Sequence, residues 1–409
     1  MIYSLIVTFF YPILLILQIF PGVRKYFNAR RESLKKLREI SKGKGNKYWF
    51  HASSVGELDQ TKAISKIIKK YEPDSEIYVS VYSLSVKEKN FNDSNIHLGF
   101  FLPFDHQFAY NVYFKLIKPK ALIIVAWDTW PNLIRTAKRF GVKTFLSCGS
   151  LHKKSSRLKF PQKRLTEKTL ELLDGISPSS EERINLFQKH AKGVKIHTPG
   201  DSRFDSVIEK IENRKNPPTL PKTNNKVIVF ASTYNICDNL LFPNFQKFLE
   251  EGYDLWLFPH KIDENRLKDI QNSLNKMNIP FEYYSKLTNT SPRIILFDKL
   301  GILAFAYERA TYCYVGGAFH HRVHNVLEPA YFGLPILTGP RITHAPEALE
   351  LELRQGLFRF NTSEEFYSLH RKITESARLK AINQLNSSFV QSGKGYSEKF
   401  YLKFLKDNE

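Results

Sequence analysis

From residue 48 onward the chain alternates short apolar runs with amphipathic stretches, and that alternation leaves few folds open. YWFHA (48–52), EIYVSVY (76–82), HLGFFLP (97–103), ALIIVAW (121–127), KTFLSCG (143–149) and GISPS (175–179) read as strands. Helical pieces lie between them. In TKAISKIIKKY, Ile64, Ile67, Ile68 and Tyr71 recur at the i, i+3, i+4, i+7 spacing of one helix face. Strand and helix in alternation predict βαβ units and mostly parallel sheets. The pattern breaks at ENRKNPPTLPKTNNK (212–226), which holds three prolines and almost nothing apolar. It restarts with KVIVFAST (226–233), YDLWLFPH (253–260), RIILFD (293–298), YCYVGGA (312–318) and PILTGP (335–340), and from about 362 it reads as helical. The expectation is two α/β domains, 23–211 and 227–409, joined by 212–226 and facing each other across a cleft, with the last helix able to pack back on the first domain. Such sheets place their sites at the carboxyl ends of their strands.

Residues 1–22 form a separate expectation. MIYSLIVTFFYPILLILQIF carries no charged side chain over its 20 residues, about the length that crosses a hydrocarbon core. No small-residue cleavage site follows. The next stretch, PGVRKYFNARRESLKKLREISKGKGNK, is strongly basic, which predicts a cytoplasmic flank and body. Either a single-pass helix or one dipping into one leaflet fits this pattern. The whole chain carries 61 Lys and Arg against 40 Asp and Glu, a formal net charge of +21. That surplus suits an anionic partner: a membrane surface, a phosphorylated lipid or a nucleic acid. The three cysteines, Cys148, Cys237 and Cys313, are too few and too scattered for a zinc site or a disulfide framework, so neither metal nor cofactor is expected.

Several stretches carry chemistry. In HASSVGELD (51–59) a lone acid, Glu57, follows Ser53, Ser54 and Gly56 at a strand-to-helix turn; it reads as a general base for an acceptor hydroxyl or as a first-turn acid complementing the helix dipole. YVGGAFHHRVHNVLEPAYFGLPILTGP (314–340) ends a strand in Gly316 and Gly317, where backbone can approach a ligand, and sets Asn325 and Glu328 three apart at a helix start. Those two read as a nucleotide-sugar pocket or as an N-cap and its first-turn acid. Ser232 and Thr233 end another strand, where a phosphate could dock or an ordinary cap form. His260 ends a third, as ligand contact or packing residue. Arg203, in HTPGDSRFD (197–205), reads as a bidentate phosphate binder or as the partner of Asp201 or Asp205.

HASSVGE, LPFDHQ (102–107), DTWPNLI (128–134), HTPGDSRFD, FAST, the Pro-His of FPHKID and VGGAFHHRVHNVLEPAYFGLPILTGP, in this order behind an apolar anchor and a basic flank, resemble the lipid A Kdo (3-deoxy-D-manno-octulosonic acid) transferase family. The resemblance implies the GT-B fold, two Rossmann-like domains around a cleft. It implies inverting, metal-independent transfer of Kdo from CMP-Kdo to a lipid A precursor at the cytoplasmic face of the inner membrane, with no nucleic-acid partner. It puts the catalytic acid on Glu57 and the cationic residue on Arg203. Acceptor contacts are expected in the same turn, at Ser53, Ser54 and Gly56. The CMP-Kdo contacts fall on Ser232, Thr233, Pro259, His260, Leu300, Gly301, Ile302, Gly316, Gly317, Asn325, Val326, Leu327 and Glu328. Where relatives show an E-x-E pair before Trp-Pro-Asn, this chain has Ala126 and Asp128, so Asp128 is the expected remaining acid. Ala231 replaces a glycine, Pro259 an arginine, and AFHHRV a glycine- and lysine-rich loop. The rival expectations are a GT-B enzyme for another nucleotide sugar and a membrane-tethered basic nucleic-acid-binding protein. No signal for oligomeric state is present.

Overall fold

The structure is a computed structural model describing residues 2–40, 43–214, 216–287 and 292–406. Met1 of the expected anchor, Lys215 of the expected linker and residues 407–409 lie outside the described residues. The chain divides into two compact units, one running to Ser206 and resuming at Gly395, the other spanning Val207–Lys394.

Fourteen strands are described: β1 (Lys47–Ala52), β2 (Glu76–Val81), β3 (Leu98–Phe101), β4 (Ala121–Val125), β5 (Lys143–Gly149), β6 (Gly175–Pro178), β7 (Lys195–Ile196), β8 (Lys226–Thr233), β9 (Tyr253–Pro259), β10 (Glu282–Tyr283), β11 (Ile294–Leu296), β12 (Ala310–Val315), β13 (Ile336–Thr338) and β14 (Leu357–Arg359). The first seven form one sheet in the order β3-β2-β1-β4-β5-β6-β7, the rest a second in the order β10-β11-β9-β8-β12-β13-β14. Every pairing is parallel. A parallel sheet needs cover on both faces, which is why its strands read as unbroken apolar runs. Trp49, Tyr78, Phe100 and Ile124 face one core of the first sheet, while Tyr48, Phe50, Val79 and Ile123 face the other. In the second unit Ile228, Phe230, Leu255, Leu257, Tyr312 and Tyr314 share a core with Phe245 and Phe366.

Helices α1 (Ile2–Ile16), α2 (Pro21–Glu39), α3 (Val55–Tyr71), α4 (Gln107–Ile117) and α5 (Pro131–Arg139) belong to the first unit. Helix α3 begins at Val55, so Gly56 and Glu57 lie inside its first turn. It buries Leu58, Ile64 and Ile68 and closes with Lys69 and Lys70 at its negative end. The division between units falls inside the helix Ser202–Glu212, upstream of the proline-rich stretch at 212–226. From Gly395 onward the C-terminal segment groups with the first unit. The cause is local: Tyr396 Oη lies 2.9 Å from Ser147 Oγ and 2.7 Å from Ser177 Oγ, and accepts the Cys148 N–H at 3.1 Å. Asp205 accepts the N–H groups of Gly395 and Ser397, and Tyr396, Phe400 and Tyr401 join the core under β1.

The strand order reverses direction between β1 and β4 in the first sheet and between β8 and β12 in the second. At such a point the loops leaving the two strands diverge and open a crevice beyond their carboxyl ends. Glu57 and Asp128 follow β1 and β4; Ser232, Thr233, Gly316 and Gly317 end β8 and follow β12.

Candidate active site

In the first unit, β1 ends at Ala52 and two residues later Ser54 caps α3 with extended backbone. Its hydroxyl donates to Glu57 Oε2, and its oxygen accepts no backbone N–H of the helix. Ser54 and Glu57 have the S-x-x-E spacing of a capping box, but here the side chains meet each other. Glu57 is half-buried, Ser53 and Ser54 likewise, and Gly56 is exposed, a Cβ on it meeting only Ser54 Oγ at 3.8 Å. A carboxylate oriented by a hydroxyl, close to water and on the first turn of a helix, is placed to accept a proton.

One turn further along α3, Gln60 Nε2 donates to Asp201 Oδ1 at 2.7 Å. Arg203 donates to Asp201 Oδ2 from Nε (2.9 Å) and Nη2 (2.7 Å), and its backbone N–H donates to Oδ1 (2.9 Å). Burial alone would raise the Asp201 carboxyl, but the Arg203 guanidinium and these hydrogen bonds outweigh it and hold the carboxyl below its usual range. Arg203 is therefore paired with Asp201 through a fork, as one of its two sequence readings had it, and Gln60 ties that pair to the helix that carries Glu57. Asp205 caps the C-terminal segment.

Asp128 stands beyond β4 after a turn through Ala126, whose φ of +60° is left-handed. Its Oδ2 lies 3.2 Å from His51 Nε2 and accepts Trp130 Nε1–H at 3.1 Å. His51 is fully buried, with Nδ1 3.0 Å from Ser80 Oγ. Burial would raise the Asp128 carboxyl; His51, Trp130 and Arg157 overcome that and keep it below its usual range. Arg157 lies over the Trp127 ring at 5.1 Å. Sequence reasoning assigned no role to His51, Gln60, Trp130 or Arg157. The available signal was position, since His51 is the penultimate residue of a buried strand whose neighbour in register is Ile124 of β4.

In the second unit, Ser232 takes a left-handed turn (φ +54°) and Thr233 is buried. Thr233 Oγ1 accepts from Arg266 Nη2 at 3.1 Å, and Arg266 also forks onto both oxygens of Asp238. The Thr233 hydroxyl thus already serves an internal network. Gly316 and Gly317 are required by the chain's own backbone. A Cβ on Gly316 would sit 2.0 Å from the Ser232 carbonyl oxygen, and one on Gly317 2.2 Å from that of Arg322. The Gly317 φ of +97° excludes most side chains as well.

Next to these glycines three aromatic rings stack. Tyr234 lies on His260 at 4.7 Å between centroids, His260 lies on His324 at 4.5 Å, and Tyr234 Oη meets His324 Nε2 at 2.9 Å. Burial, then His260 and Arg322, push the His324 imidazole down to about 4. Burial and the charge of Lys261 lower His260 as well. A neutral, stacked platform at the ends of β8 and β9 suits a flat heterocycle. Pro259 closes β9 in register with Thr233.

The helix expected near Asn325 is a single turn, Leu327–Tyr331, too short to sum much of a dipole. Asn325 Oδ1 accepts the N–H groups of Leu327 (2.9 Å) and Glu328 (3.4 Å), so it caps that turn. Glu328 is buried and pairs with Lys210. Val326 and Leu327 are core residues. In the loop before residue 303, Leu300 is 81% exposed, Gly301 is left-handed and Ile302 is buried. Leu300 and Gly301 lie on a surface loop, while Ser232, His260, Gly317 and His324 come together around the β8–β12 reversal. Among the described residues no group of three His, Cys, Asp or Glu side chains is arranged to hold a metal ion.

Residues 26–206 match the family model described as 3-deoxy-D-manno-octulosonic-acid transferase (kdotransferase). The chain is similar to the 3-deoxy-D-manno-octulosonic acid transferase of Chlamydia pneumoniae, 26% identical over 331 residues, 77% of this chain and 74% of that protein. The protein of the same name from Haemophilus influenzae is 25% identical over 333 residues, 77% of this chain and 76% of its own length. Among solved structures, UDP-GlcNAc 2-epimerase from Neisseria meningitidis superimposes with a TM-score of 0.64 at 12% identity, over 88% of this chain and 99% of that one. MurG from Acinetobacter baumannii does so with a TM-score of 0.56 at 12% identity, over 88% and 100%. The two structural likenesses speak to the fold alone.

Proposed function

We propose, from the match of residues 26–206 to the Kdo transferase family model and from the similarity in sequence to Kdo transferases over most of the chain, that the protein moves Kdo from CMP-Kdo to a lipid A precursor, with inversion and with Glu57 as base. The observation that carries the reading is Glu57 itself. It is a half-buried carboxylate, oriented by Ser54, on the first turn of α3, which follows β1 at the strand reversal. In the proposed step an acceptor hydroxyl gives its proton to Glu57 as its oxygen attacks the anomeric carbon of Kdo. The bond from that carbon to the CMP phosphate oxygen breaks, and its electron pair leaves with CMP. Arg203, fixed by Asp201, supplies positive charge near the reacting end, and Asp128, held ionised by His51 and Trp130, orients the acceptor or steadies the cation-like transition state. The Tyr234–His260–His324 stack receives the cytosine ring, while Glu328 takes the ribose hydroxyls in place of Lys210. The basic flank and the apolar helix hold the protein at the cytoplasmic face of the inner membrane.

The test is CMP release by purified protein in detergent, supplied with CMP-Kdo and a tetra-acylated, phosphorylated lipid A precursor. The reading expects release that depends on the acceptor, together with a glycolipid heavier by one or more Kdo units. UDP released from a UDP-sugar, with no CMP released from CMP-Kdo, would move the chain to another donor class.

A further inference from the structure

The contacts of helix α1 decide between the two ways in which an apolar segment can meet a bilayer. Residues 2–19 are helical throughout, α1 passing into a short 3₁₀ turn at Leu17–Ile19, a rod of about 28 Å. Only one stripe of it is sheltered. Tyr3, Ser4, Val7, Tyr11, Leu14, Leu17 and Gln18 are half-buried, at the spacing of a single helix face. The remaining surface is bare and apolar: Ile2, Leu5, Phe9, Ile16 and Ile19 are each more than 60% exposed.

The sheltered stripe is held by polar groups of the first unit. Tyr3 Oη donates to Asp105 Oδ2 at 2.8 Å and Ser4 Oγ donates to Asn132 Oδ1 at 2.6 Å. Ser4 Oγ in turn accepts from Arg135 Nη1 (2.9 Å) and Gln107 Nε2 (3.3 Å). Two turns on, the Tyr11 ring stacks on His106 at 4.5 Å. Asp105 also accepts the N–H groups of Asn132 and Leu133 at the start of α5, so the same carboxylate fixes both helices. The LPFDHQ stretch and the start of α5, which the transfer chemistry leaves without a role, form this seat. After Phe20 the chain turns into α2, whose Phe27 and Leu37 are buried in the same unit. The Arg30 guanidinium lies over Tyr26, Tyr82 and Phe104 at 4.5–5.0 Å.

A helix crossing a bilayer would carry Tyr3 and Ser4 some 25 Å away from the body that binds them. Here the first turn, the middle and the following helix all rest on one unit. We infer that α1 does not cross the membrane but lies in its plane, its bare face sunk into the leaflet facing the protein, with the Asp105–His106–Gln107 and Asn132–Arg135 groups as its seat. The partner is an anionic phospholipid leaflet: α2, which follows the bare helix in the chain, carries Arg24, Lys25, Arg31 and Lys35. This inference rests on the membrane reading above and adds the topology.

The experiment places a protease-cleavable tag before residue 1 and a second tag after residue 409 of the full chain, expressed in a Gram-negative host. In spheroplasts the in-plane helix leaves both tags intact, and in inverted membrane vesicles both are cut. A leading tag cut in spheroplasts means a crossing helix and overturns the inference. Protein recovered in the soluble fraction overturns the membrane reading and this inference with it, whereas CMP release then remains a separate question. A Tyr3→Phe, Ser4→Ala double variant tests the seat: amide exchange in residues 2–16 in phosphatidylglycerol-containing nanodiscs should speed up by about tenfold. Unchanged exchange would show that the seat does not hold the helix.

Discussion

At the scale of single residues, paired charges set the chemistry. Arg203 has its fork on a fully buried carboxylate, so its removal has two costs. Arg203→Ala is expected to destabilise the first unit by roughly 1–3 kcal/mol, because Asp201 is left without its main partner, and to reduce turnover at least tenfold. Thermal melts and rates measured on the same preparation separate the two, and undiminished turnover would remove Arg203 from the mechanism. The depressed Asp201 carboxyl has a defined sign: its stabilising contribution is present above the unfolded carboxyl value near pH 4 and is lost as pH falls through the lower folded value. His51 acts on Asp128 in the same sense. His51→Gln should raise the Asp128 carboxyl and so move the acidic limb of the rate profile to higher pH, while kcat falls. A profile that keeps its position in that variant would detach His51 from the reaction.

At the scale of elements, backbone fit governs the second unit's loops. Gly316→Ala drives a methyl group into the Ser232 carbonyl and should cost about 1–3 kcal/mol, whereas Gly301→Ala meets nothing within 4 Å and pays only for its left-handed turn. Chemical denaturation of both variants checks the order. The His324 imidazole gives a pH prediction. Its folded value, about 4, lies below that of an unfolded histidine, so the unfolded chain binds the extra proton first. The associated stability is intact above about pH 6.5 and declines as pH drops toward 4. A melting temperature that falls by a few degrees between pH 7 and pH 5, and falls less in His324→Asn, is the expected result.

These elements also show what could be read in advance. Strands such as KYWFHA and EIYVSV were legible because a strand buried on both faces must be apolar throughout. β7 and β10, of two residues each, and β14, of three, are too short to carry a pattern. The start of α3 lay six residues before the periodic stretch, although the Ser54 and Glu57 spacing marked it. Glu57 and Asp128 could be placed at strand ends because only local pattern was needed. The Gln60 contact to Asp201 and the Arg266 contact to Thr233 could not, since the partners lie 141 and 33 residues apart.

At the scale of the whole molecule, the proposed membrane reading has the +21 charge and the apolar face of α1 acting together on a surface. Flotation with phosphatidylglycerol liposomes should weaken several-fold as salt rises from about 50 to 500 mM, since headgroup attraction is screened while apolar burial is not. Binding indifferent to both salt and lipid charge would take the basic flank out of the account. The central claim is that a carboxylate on the first turn of α3 takes the acceptor's proton. The most direct measurement compares Glu57→Gln with the unchanged protein for acceptor-dependent CMP release, with CMP affinity measured alongside. The account predicts a rate reduced by about 100-fold or more at unchanged CMP affinity and an unchanged melting temperature. Release at a comparable rate in the variant would contradict it.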